Sequence, residues 1–199
     1  PVFRKDGRPA PPQVCVDFLM DTLERASGTW WQPRGAAPER IRGNLDFRDY
    51  FYPGLGSTQR FIEFARERKE WFDVHEPSRR ERMQMGDLPR WTAMLVKHAD
   101  AYAPGDMVVI RGYTPWDERE QHYHTFFIYD SDPVSGVPLA LVGNAGRPTI
   151  RVLRTEANRT PERAIVLRVR PRLEWLESVV VPVEGMPRPP VLVDRSPGY

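Results

Sequence analysis

The chain is poor in cysteine, lysine and long apolar runs, and each shortage narrows what it can be. One cysteine, Cys15, stands among 199 residues. That excludes an intramolecular disulfide and a cysteine-based zinc site, and neither metal nor cofactor is expected. Lys5, Lys69 and Lys97 are the only lysines, so the remaining cations are arginines, and the net charge is only +2. No basic block with interleaved aromatics stands out, which leaves nucleic acid as an unexpected partner. No apolar run is long enough to cross a membrane. There is no internal repeat. The sequence opens on Pro1 without a signal peptide; an already removed leader would place the protein outside the cytoplasm, periplasmic or secreted, and that is the expected location.

What is present fits one domain spanning residues 1–199, with enough apolar content for a full core. The 21 prolines punctuate loops, while six Trp and nine Phe spread along the chain argue against disorder. Residues 1–12 are polar and proline-rich. An amphipathic helix is expected over 15–26, with Val16, Leu19, Met20 and Leu23 at helical spacing and Gly28 as its stop. An irregular and helical insertion runs over about 29–100. It includes a helix expected at 58–73, capped by Ser57, and a third over 87–99. The period then changes. Strands are expected at 107–110, 122–129, 138–143, 149–153 and 164–169, with a polar loop at 111–120 and, over 171–179, a short helix or a helix running into strand. A proline-rich tail covers about 180–199. Helices followed by a meander of antiparallel strands define an α+β class.

The chemistry-bearing stretch is Gln13-Val14-Cys15-Val16-Asp17. Pro11 and Pro12 precede it, so Cys15 is expected in the first helical turn, where the partial positive charge of the helix end favours a thiolate. A turn centred near Val134 sets residues whose numbers sum to about 268 opposite each other. His124 and Asn144 meet that condition, and a carboxamide oxygen beside an imidazole fixes its tautomer. His122 shares the face of His124 and would pair near Gly146. Cys15 as nucleophile, His124 as general acid/base and Asn144 as orienter make a Cys–His–Asn site. Loops at 29–34, 50–56 and 111–117 would wall its cleft, with Trp31, Tyr52, Arg111, Tyr113 and Trp116 as substrate contacts. The competing reading of Cys15 is a small buried residue on an amphipathic helix.

Cys15 at a helix start, Gly105-Asp106-Met107-Val108-Val109 opening a strand, His124 beginning another and Asn144 on the next follow one another in the order of a known group. Over residues 11–170 the chain resembles the papain-like cysteine peptidases and amidases of the NlpC/P60 and CHAP superfamily. The resemblance implies N-terminal helices packed on an antiparallel β-sheet, no metal, and hydrolysis of an amide bond, typically in bacterial cell-wall peptidoglycan peptides. It also implies an oxyanion role for Gln13 beside the Cys15 backbone N–H. Two alternatives stay open: a catalytically inactive binding module on the same scaffold, and an acyl-transferase using the same site.

Overall fold

A computed structural model describes residues 15–32, 39–50, 57–114, 117–144, 148–181 and 192–194. The first helix, α1 (Cys15–Ala26), covers the expected span. It stops where Gly28 takes a positive φ of 85° and the Thr29 N–H returns to the Glu24 carbonyl at 2.9 Å. A two-stranded ribbon follows, β1 (Trp30–Gln32) against β2 (Glu39–Ile41). Helix α2 (Thr58–Glu67) opens on Ser57, whose hydroxyl accepts the Arg60 N–H. It ends earlier than its periodicity predicts. Phe72 is recruited into strand β3 (Phe72–His75), because pairing with another strand satisfies its backbone and buries its ring. Helix α3 (Leu88–Lys97) starts at Asp87, which caps it.

The seven-stranded sheet contains β3, β4 (Met107–Thr114), β5 (Asp117–Ser131), β6 (Pro138–Asn144), β7 (Pro148–Val152), β8 (Arg163–Pro171) and β9 (Leu192–Asp194). Its order is β3-β8-β4-β5-β6-β7-β9. The stretch β4 to β7 is the expected antiparallel meander. Strand β8 departs from it, crossing back to pair with β4, and β9 joins β7 in parallel. The crossing passes through α4 (Leu153–Arg159), a helix the sequence pattern did not reveal. Its seven residues carry too little apolar period to stand out. Helix α5 (Leu173–Val179) matches the short helix expected there.

The polar loop expected at 111–120 is mostly strand. Arg111 and Tyr113 lie in β4, and β5 begins at Asp117. Their outward side chains made the end of a central strand read as a loop. Gly112 is required here: a Cβ would stand 2.2 Å from the Glu162 carbonyl oxygen. At the other end of the strand Gly105 takes φ 91°, and Asp106, fully buried, accepts Arg170 Nε at 2.7 Å and Nη2 at 2.8 Å. The Gly-Asp pair is therefore an anchor for β4.

Two apolar layers cover the two sheet faces. On one, α1, α2 and α5 pack Leu19, Phe61 and Trp175 over Met107, Val109 and Phe127. Phe18 meets Phe127 edge-on at 6.0 Å. On the other, α3 and α4 pack Trp91, Leu95 and Ala157 over Val108, Ile110, Phe126 and Ile128. The strict alternation of β4 and β5 divides the side chains between these layers. No helix among the described residues is long and apolar enough to cross a membrane.

Candidate functional site

Cys15 is the first residue of α1 and only 8% exposed. Its Sγ lies 3.7 Å from the Thr58 hydroxyl. Thr58 is itself the first residue of α2, so two helix N-termini converge on the sulfur. A cleft of about 200 Å³ lies between α2, β4 and β8, with Gln59, Arg66, Arg111 and Tyr123 in its walls.

The expected histidine–asparagine pair does not form. Phe126 is opposite Gly143 and Ile128 opposite Leu141, one residue out of the phase that the turn centre implied. The irregularities on either side of Asp130 cancel, since Ser131 still faces Pro138; the offset comes from the turn itself, centred between Val134 and Ser135, where the Asp132 N–H meets the Val137 carbonyl at 2.8 Å. A slip of one residue reverses the face. His124 alternates with Phe126 and Ile128 and sits on the α3/α4 side, its ring 6.1 Å from that of Phe126. Asn144 alternates with Val142, which packs on the α1 side. Continued by one residue, the register sets Asn144 opposite buried Thr125 rather than His124. Asn144 therefore shares a sheet face with α1, and His124 does not.

The surroundings of His124 are charged. Glu156 of α4 faces it, as do Arg163, Arg151 and Arg159. Burial pushes its imidazole down to about 4; Glu156 opposes this and the arginines add to it, so the ring is neutral at pH 7. Arg163 is 5% exposed, and its Nε has no hydrogen-bond partner among the described residues. Burial lowers the Arg163 guanidinium; Glu156 and then Cys15 act against that. Arg163 is thus felt both by the His124 cluster and by the sulfur. It pairs across β4 with Gly112, whose other neighbour is His122.

His122 has the orienting partner that the sequence assigned to His124. Its Nε2 lies 2.9 Å from Asp117 Oδ2, and this hydrogen bond holds the Asp117 carboxyl below the usual range. The signal was the His-x-His repeat with an aspartate five residues upstream; a polar loop expected at 111–120 hid it. Arg111 and Tyr113 are exposed on β4. Arg111 lines the cleft, with its guanidinium 5.0 Å from the Tyr123 ring centre. Gln13, Tyr52 and Trp116 lie outside the described residues, as does the side chain of Trp31. Among the described residues no group of three His, Cys, Asp or Glu side chains is placed to hold a metal ion. No family profile, curated protein or solved structure matches the chain.

Proposed function

We propose that this protein is a cysteine hydrolase of amide bonds, with Cys15 as nucleophile on a papain-like arrangement of helix and sheet. The substrate class is a cell-wall peptide, which places the protein outside the cytoplasm. The observation that carries the reading is the position of the sulfur: on the first residue of one helix, 3.7 Å from the hydroxyl of the first residue of a second. Helix ends attract negative charge, and their unpaired N–H groups are the donors an oxyanion needs. No histidine of β5 is assigned the proton: His122, which Asp117 holds, alternates with His124 and shares its α3/α4 face, away from α1. His124 is also neutral and enclosed, which suits it poorly as an imidazolium partner to a thiolate. Cys15 would form a thioester with the acyl group as the amine leaves with the thiol's proton, carried by solvent, and water would then release the acid.

Trapping with a thiol-reactive peptide amide tests this, alongside product masses from purified peptidoglycan peptides. A covalent adduct at Cys15 is expected, with turnover lost in Cys15→Ala. Turnover that survives Cys15→Ala would refute the proposal.

The binding-module reading has one observation in its favour: Asn144 and His124 point to opposite faces, and the sulfur is nearly covered. A Cys15 that resists every thiol-reactive probe in the folded protein, with no turnover of any peptide, would select it.

A further inference from the structure

We infer that the cleft between α2, β4 and β8 binds a peptide through a carboxylate on the residue it receives, with Arg111 as the recognising group. The placement of this subsite beside the nucleophile rests on the hydrolase reading; the binding itself does not. Three arginines and two glutamates line the cleft. Arg66 is already engaged, its Nε 2.7 Å from Glu76 Oε1, with Glu63 adding to its negative surroundings. Arg82 donates from Nε to the Pro77 carbonyl at 3.0 Å. Arg111 has neither a carboxylate nor a carbonyl partner among the described residues; what it has is the face of Tyr123.

That stacking is the informative feature. A guanidinium laid on a ring is held in one plane and loses little freedom on binding, while its N–H fork stays open at the edge. The fork matches a carboxylate in a two-bond, planar fashion. Ile62, Val166 and Leu167 give the same cleft apolar walls, which suit the carbon skeleton of a peptide. Gln59 of the cleft wall is next in sequence to Thr58, whose hydroxyl lies 3.7 Å from the Cys15 sulfur.

The test uses the whole chain carrying Cys15→Ala, so that binding is read without turnover. Calorimetric titration compares the blocked peptides Ac-Ala-Glu-Ala-NH2 and Ac-Ala-Gln-Ala-NH2, with inorganic phosphate as a third probe. The acid peptide is expected to bind about tenfold tighter than the amide, as a charge-assisted hydrogen bond implies. Arg111→Gln should erase the difference and Arg111→Lys should retain part of it, with circular dichroism showing both variants folded. Equal binding of the two peptides, binding of neither, an acid preference that survives Arg111→Gln, or phosphate binding as tightly as the acid peptide would each overturn the inference. An acid preference without Cys15 trapping removes the hydrolase reading and leaves the subsite; trapping without an acid preference does the reverse.

Discussion

Two groups of buried charges in this molecule are built on opposite terms. The first joins α1 to the ribbon. Glu24 accepts the Phe47 N–H at 2.7 Å and Arg40 Nη2 at 3.0 Å. Asp46 accepts Arg48 Nη2 at 2.6 Å and Arg40 Nε at 3.3 Å. Burial would raise the Asp46 carboxyl, yet its bonds to Arg48 and Arg40 hold it well below the usual range. Gly43 lets the chain pass here, since a Cβ would stand 2.0 Å from the Ser27 carbonyl oxygen. The second group surrounds His124. Glu156 reaches Arg151 only at 3.5 Å, and Arg163 buries an Nε with no hydrogen-bond partner among the described residues. The first group is what a charge network looks like when its purpose is to hold two segments together. The second keeps potential unspent, which a purely structural role does not require.

Stability measurements sharpen the contrast. The largest effect is expected from Asp46→Ala, which strands Arg40 and Arg48 beside Glu24. It should cost about 3 kcal/mol in urea unfolding, as for the breaking of a buried pair. A loss below about 1 kcal/mol would put the two groups on the same footing.

The next effect is read in pH. The folded pKa of His124 lies below the ordinary 6.5, so the unfolded chain takes up the proton first. Its contribution is present above about 6.5 and is lost as pH falls toward 4. Asp21 behaves oppositely. Burial raises its carboxyl from 3.8 to about 7, against the pull of Arg25, so its contribution is present below about 4 and lost as pH rises toward 7. The two slopes oppose each other in one window, each at most about 1.4 kcal/mol per pH unit. The stability of the parent protein is expected to be nearly flat there. Asp21→Asn should expose stability rising with pH, and His124→Gln stability falling with pH. Matching profiles in the two variants would remove the assignment. The smallest effect belongs to Arg163→Met, which removes a buried charge that lacks full pairing. It should change stability by less than about 1 kcal/mol, in contrast to Asp46→Ala.

Much of the fold was legible residue by residue. The apolar spacing of Val16, Leu19, Met20 and Leu23 with Gly28 beyond it marks α1. Ser57 and Asp87 mark the starts of α2 and α3, and the aromatic run from Tyr123 to Tyr129 marks the centre of β5. These signals are local, arising within one turn or one strand. Three features were not legible for a shared reason. The early end of α2, the extension of β4 through Tyr113 and the return of β8 to β4 depend on which distant backbone offers hydrogen bonds. The candidate site divides in the same way. Cys15 at a helix start was readable. The partner of the imidazole was not, because Asp117 and His122 were split between a supposed loop and a strand.

The sequence by itself determined the α+β class, the placing of the lone thiol at the opening of a helix, and the alternation that sends neighbouring residues of β5 to opposite layers. Only the tertiary structure decided which residues face one another across the sheet. Side chains repeat every two residues along a strand, so a hairpin turn centred half a residue further along transfers a whole set of partners to the other face. Periodicity records that residues alternate; the register formed by distant hydrogen bonds records which way.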